Sequence, residues 1–222
     1  MTDLLPVIAK RIADVLRELA PGKALAADEV PLIDGLAAKW VARSPVAEPG
    51  ATPMAWGAKV SPAFRARVRW ICEQLQYPEP GDLMTCMAWE SGRSFSASKR
   101  NLAGSGATGL IQFMPATARE LGTTTDALAA MTAEDQLNYV FKYFEPWKGK
   151  LHDLADLYMT ILWPRAVGKP DDYVLFDRNI SPTAYRQNAG LDLNRDGKVT
   201  KAECASKLYA MRDEGLRPGN VG

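Results

Sequence analysis

The chain has little of what builds metal clusters or thiol chemistry. Its 222 residues include three cysteines, Cys72, Cys86 and Cys204, and one histidine, His152. Three scattered cysteines exclude a disulfide framework, and no CxxC or Cys/His cluster is present to hold zinc. A Ser-His-Asp triad or Cys-His dyad has only His152 to draw on, and that residue reads as a helix-face or capping histidine. Each cysteine reads as a small buried hydrophobe. An excess of one charge is also missing. Lys+Arg 27 against Asp+Glu 26 leaves a formal net charge of +1, so nothing global draws the chain to nucleic acid or an anionic membrane. No uncharged apolar run approaches the ~20 residues of a membrane span, so no membrane insertion is expected. The amino terminus carries Asp3 where a signal peptide needs positive charge, and Lys10 and Arg11 interrupt its apolar run. Synthesis in the cytoplasm without a signal peptide is the expectation. Any action outside that compartment then depends on another carrier.

What is present reads as helices. Leu5, Ile8, Ile12, Val15, Leu16 and Leu19 recur at helical spacing before Pro21-Gly22, and a second helix is predicted over 28–41. Residues 1–44 form a small helical appendage on this reading. The breaker-rich stretch 45–60, with Pro45, Pro49, Gly50, Pro53 and Gly57, reads as a linker. The main domain, 61–178, opens at Ser61-Pro62, an N-cap followed by proline at the first helical position. Phe64, Val68, Ile71 and Leu75 form the buried face of that helix. Another runs from Asp82 to about Gly92, a short one opens at Pro115, one starts at Thr132 and ends near Pro146, and one covers 151–163. Strand-like alternation is scarce. The fold class expected is mainly α, with at most a small hairpin in the glycine-rich segment before Gly109.

Gly104-Ser-Gly106-Ala-Thr-Gly109 satisfies GxGxxG but is no dinucleotide fingerprint. The residues before it, Ser96 to Asn101, are polar and basic rather than a buried strand, and Pro115 interrupts the helix that should follow. Glu90 is the better candidate. It ends an apolar helix beside Trp89, Met87 and Leu83, surroundings that raise a carboxyl pKa and suit a general acid. Read alone, it is more readily a capping or salt-bridged glutamate.

Trp89-Glu90-Ser91-Gly92, followed by Gly106-Ala-Thr-Gly109-Leu-Ile-Gln112-Phe-Met-Pro115-Ala-Thr-Ala118, resembles the soluble lytic transglycosylase family of the lysozyme-like superfamily. The resemblance covers residues 61 to about 176, and Leu157 to Pro164 looks most like phage-borne members. It implies a mainly helical lysozyme-like fold. It also implies cleavage of the β-1,4 bond between N-acetylmuramic acid and N-acetylglucosamine in peptidoglycan, either for lysis or as a tail-associated enzyme. Glu90 is then the catalytic acid and later the base. Ser91 and Gln112 contact the glycan strand, and the Gly109-Leu110-Ile111 backbone lines the cleft. The family's Tyr-Asn pair falls on Tyr158-Met159, so the tyrosine is kept as a substrate-binding residue and the asparagine is not. The spacing from Glu90-Ser91 to Phe95 is longer than is usual in the family.

A hydrolase of the ordinary kind uses two carboxylates flanking the bond. Between Glu90 and Glu120 there is no Asp or Glu. A single acid suits a transglycosylase, in which the sugar's own 6-hydroxyl attacks. Asp153 or Asp156 could fold in and restore hydrolysis, which keeps a muramidase as the alternative. Arg93, Lys99, Arg100 and Arg119 could meet peptide or lactyl carboxylates of the wall, or form a solvated face.

The other motif is Asp192-Leu-Asn194-Arg-Asp196-Gly197-Lys198-Val-Thr200-Lys-Ala-Glu203, which matches an EF-hand loop at every position. Asp192, Asn194, Asp196, the Lys198 carbonyl, Thr200 and a bidentate Glu203 are the ligands expected for a structural Ca²⁺. The tail 179–222 reads as an EF-hand-like segment clipped to the catalytic domain. Two further readings are a non-catalytic wall-binding or virion protein and a calcium-regulated interaction module. The N-terminal helices are a further candidate for wall or virion contact.

Overall fold

The computed structural model describes residues 53–101 and 104–222. The chain divides into two units, Met1–Pro49 and Gly50–Gly222, and the described residues all lie in the second. The helices expected within 1–44, and the first half of the stretch 45–60, fall outside them.

The second unit is mainly helical. Helix α1 (Pro62–Leu75) starts where the sequence places it: the Ser61 hydroxyl accepts from the Phe64 N–H at 3.0 Å. Its buried residues are Phe64, Val68, Ile71, Cys72 and Leu75, the face that the apolar spacing marks. Helix α2 (Pro80–Ser91) buries every residue from Asp82 to Ala88, and Gly92 caps its end. Three helices follow: α3 (Pro115–Glu120), α4 (Thr125–Ala130) and α5 (Ala133–Phe144). Thr132 caps α5 by accepting from Asp135 N–H at 3.1 Å. Helix α6 (Leu154–Leu162) is capped by the Asp153 carboxylate, which accepts from Asp156 N–H at 2.7 Å. Strand β1 (Val174–Asp177), helix α7 (Pro182–Asn188), strand β2 (Lys198–Thr200) and helix α8 (Lys201–Gly215) complete the unit.

Three expectations change. The two-stranded antiparallel sheet is not in the glycine-rich segment but joins β1 to β2, pairing Phe176 with Val199 and Asp177 with Lys198. The described residues among 100–113 carry only isolated bridges, Arg100 with Thr108 and Thr108 with Phe113. These strands are three and four residues long, too short for alternation to register in sequence.

The end of the stretch read as a linker is core. Met54, Ala55 and Trp56 are buried, and the Trp56 indole N–H donates to the Met211 carbonyl at 3.1 Å. Backbone bonds run from Met54 N–H to Gly222 O, from Gly222 N–H to Met54 O and from Ala58 N–H to Asn220 O. Gly57 is needed there because a β-carbon would strike the Gly222 backbone. Gly57 thus serves a close approach of chain segments, not a spacer.

The tail 179–222, expected as a segment clipped to the domain, is part of its core. Helix α8 packs on α2 and α6, and Cys204, Leu208 and Met211 belong to the same buried cluster as Met87, Leu157 and Met159. Arg212 reaches Asp82 at 3.2 Å and Glu214 reaches Arg93 at 2.6 Å, so α8 is tied to both ends of α2.

Candidate active site

Glu90 is the penultimate residue of α2, on a helix whose preceding two turns are buried. The carboxyl is itself largely withdrawn from solvent, and burial pushes its pKa up to about 7, against the opposing pull of a hydrogen bond with the Tyr158 hydroxyl. Charging this group at the negative end of a helix dipole is disfavoured for a further reason of the same sign. Among the described residues no other carboxylate perturbs it.

Tyr158 comes from α6 and is buried. Its hydroxyl oxygen accepts from the Trp89 indole N–H at 3.0 Å, which leaves its own proton to donate towards Glu90. Burial and the Glu90 charge push the phenol pKa well above its ordinary value, so the hydroxyl keeps that proton. Tyr143 of α5 lies within electrostatic reach of Glu90, and burial with that charge pushes it to about 12. Its hydroxyl donates to the Thr160 carbonyl at 2.7 Å. Three helices thus converge on one carboxyl.

The glycine-rich motif reaches this place through Phe113, whose ring packs edge-on against Tyr143 at 6.2 Å. Gln112 beside it sits at φ 53, a left-handed conformation uncommon outside glycine and asparagine. Its side-chain amide donates to the Gly109 carbonyl at 3.1 Å and the Lys99 carbonyl at 3.2 Å, which holds the turn. Backbone held in such a region clusters at functional sites.

Gly109 itself sits at φ 86, and a β-carbon there would collide with the Gln136 amide. Gln136, fully buried on α5, accepts from Leu110 N–H at 2.7 Å and donates to the carbonyls of Leu128 and Ala97 at 2.9 and 3.1 Å. This buried polar residue fixes the motif's turn, and nothing in the spacing of α5 singles it out.

Several expected contacts take other roles. Ser91 is buried, and its hydroxyl accepts from Phe95 N–H at 3.0 Å, so it shapes the loop after α2 rather than presenting itself to a glycan. The side chains of Leu110 and Ile111 are buried, and the Leu110 N–H is taken by Gln136. Arg93 pairs with Glu214 and Arg100 with Asp126. Neither Asp153 nor Asp156 serves Glu90. Asp153 caps α6, and Asp156 is buried against Lys201 Nζ at 2.6 Å. Burial works against the Asp156 charge, but Lys201 and the N–H groups of Gly168 and His152 hold its pKa below the usual range. A cavity of about 420 Å³ opens at the other end of α2, between Met54, Glu79, Asp82 and Arg212, and no motif residue lines it.

In the loop 192–203, Gly197 sits at φ 88, the turn its position requires. Asp192 is 8% exposed. Its Oδ2 accepts from Gly197 N–H at 3.0 Å and from the Tyr185 hydroxyl at 2.6 Å, and its buried Oδ1 has no partner. Asn194 Oδ1 accepts from Asp196 N–H, and Asp196 Oδ1 from Lys198 N–H. Glu203 closes the loop: its Oε1 accepts from Leu193 and Asn194 N–H, and its Oε2 from the Thr200 N–H and hydroxyl. Among the described residues no three His, Cys, Asp or Glu side chains are gathered as a metal cluster. Tyr185 is a partner that the motif does not reveal. Among the described residues no helix is long and apolar enough to cross a membrane.

Compared with family models, with curated proteins and with solved structures, the chain matches none.

Proposed function

We propose that the protein is a peptidoglycan lytic transglycosylase of lysozyme-like fold, with Glu90 as its acid and base. The observation that carries this reading is the Glu90 carboxyl, withdrawn from solvent and held near pKa 7 beside Tyr158. A general acid works best with its pKa near the working pH. Protonated Glu90 gives its proton to the glycosidic oxygen as the bond from that oxygen to the anomeric carbon breaks. The carboxylate left behind faces the positive charge developing on the sugar. It then takes the proton of the muramic acid 6-hydroxyl as that oxygen closes on the anomeric carbon, giving a 1,6-anhydro end and restoring the acid. No water is consumed.

The engagement of Asp153 and Asp156 elsewhere favours this route over hydrolysis, since neither is placed to activate water. Gln112, through its side-chain carbonyl, and the turn it holds are the proposed contacts to the glycan strand. The substrate places the site of action in the bacterial cell wall, as a phage lysis enzyme or virion component. Glu90→Gln keeps the side chain's size and removes the proton. It is expected to lower clearance of cell-wall suspensions by at least about 10²–10⁴-fold with the melting transition retained. Clearance at the wild-type rate would overturn the assignment.

A further inference from the structure

Asp192 Oδ1 is a carboxylate oxygen withdrawn from water and left without a donor. Buried acceptors are otherwise satisfied almost throughout native proteins, and leaving one unmet is costly. The other oxygen of the same carboxylate accepts from Gly197 N–H, so the group points into the loop it begins. The other ligand positions of the motif supply oxygen alone, from the side chains of Asn194, Asp196, Thr200 and Glu203 and the Lys198 carbonyl. Hard oxygens from a flexible loop, with one carboxylate able to bind through both atoms, select calcium over the smaller and stricter magnesium.

The loop does not end in solvent. Lys201, in its last turn, is 3% exposed, and its Nζ donates to Asp156 Oδ1 at 2.6 Å and to the Lys169 carbonyl at 2.8 Å. Asp156 lies two residues before Tyr158 on α6. Cys204, the residue after Glu203, is fully buried in the same core cluster as Tyr158. The first turn of α8 is therefore continuous, through packed side chains, with the hydroxyl that Trp89 and Glu90 share.

We infer that residues 192–203 bind one calcium ion and that its binding is felt at Trp89 and Tyr158 through α8. Filling the site asks Glu203 to exchange its bonds to the Leu193 and Asn194 N–H groups for the cation. Because Glu203 is the third residue of α8, that exchange acts on the helix start that Lys201 anchors to α6. The ion thus becomes a regulator of the Glu90 site rather than a remote clip. Metal binding itself does not rest on the transglycosylase reading, and the measurements below read no activity.

The test uses the full chain, stripped with chelator and titrated calorimetrically with calcium chloride. One saturable site is expected, with magnesium binding more weakly. At about 100 times Kd, calcium is expected to raise Tm by roughly 5–10 °C. Asp192→Asn and Glu203→Gln are each expected to weaken binding by about tenfold or more while the helical circular dichroism persists. In ¹⁵N-labelled protein, assigned with Trp89→Phe, the Trp89 indole resonance is expected to move with the calorimetric midpoint. The Trp70 indole, which packs on Phe141, is expected to stay. Absence of both heat and a Tm shift at millimolar calcium would overturn the site, as would binding indifferent to both substitutions. Binding with an unmoved Trp89 resonance would overturn the coupling.

Discussion

The indole N–H of Trp89 donates to the Tyr158 hydroxyl at 3.0 Å, joining residues 69 positions apart in the chain. Trp89 precedes the candidate acid on α2, and Tyr158 faces that acid from α6. The bond orients the hydroxyl so that its proton is left for Glu90, and that hydrogen bond is what restrains the upward push of burial on the carboxyl.

Tyr158→Phe removes the restraint and strands the indole N–H. The Glu90 pKa is expected to rise further, moving the alkaline limb of the activity profile to higher pH. Loss of an acceptor for a buried donor is expected to lower stability by about 1–3 kcal/mol. A pH–rate profile and a denaturant melt of the variant check both. A purely structural tyrosine would move the melt and leave the limb where it was.

Burial at Glu90 also predicts a stability that depends on pH. Its folded pKa, about 7, lies above its ordinary 4.5, so the folded state binds the proton more tightly than the unfolded chain. That contribution is present in full below pH 4.5 and is lost as pH rises through 7. Glu90→Gln never carries the charge. It is expected to match wild type near pH 4.5 and to exceed it above pH 7, by up to about 3 kcal/mol. Denaturant titrations of both proteins from pH 4 to 8 make the comparison, and a constant difference across that range would contradict the burial argument.

Trp56 fills the core with its ring and closes it with its N–H to Met211. Trp56→Ala is expected to cost about 3–5 kcal/mol. A chain cut at Ser61 removes Met54, Ala55 and Trp56 together. It is expected to melt well below a chain cut at Gly50, or to aggregate through the exposed face of α8. Equal melting of the two truncations would return these residues to the linker that their composition suggests.

The helices were legible where a local rule specifies them. Ser61-Pro62 starts α1, and Phe64, Val68, Ile71 and Leu75 share one face at a spacing that only burial explains. Glu90 was legible because an apolar helix ends on it. Partners distant in sequence were not. Nothing around Trp56 announces Met211, and nothing in the alternation of Ala133–Phe144 marks Gln136 as the clamp on Gly109 and Leu110. Ser91 shows the same limit in reverse: the motif names the residue, but only the loop's return at Phe95 decides that its hydroxyl faces inward. Asp153 and Asp156 were open as second carboxylates until the cap on α6 and the ion pair with Lys201 accounted for them.

The most direct measurement of the central claim is the mass of what the protein releases. Purified peptidoglycan digested to completion is to be analysed by mass spectrometry beside a digest made by a hydrolytic muramidase. With Glu90 working alone and the 6-hydroxyl attacking, the muropeptides end in 1,6-anhydro-muramic acid and are lighter than the hydrolysed products by one water each. Reducing ends carrying that water would show that a second group activates it, and would contradict the single-carboxylate account.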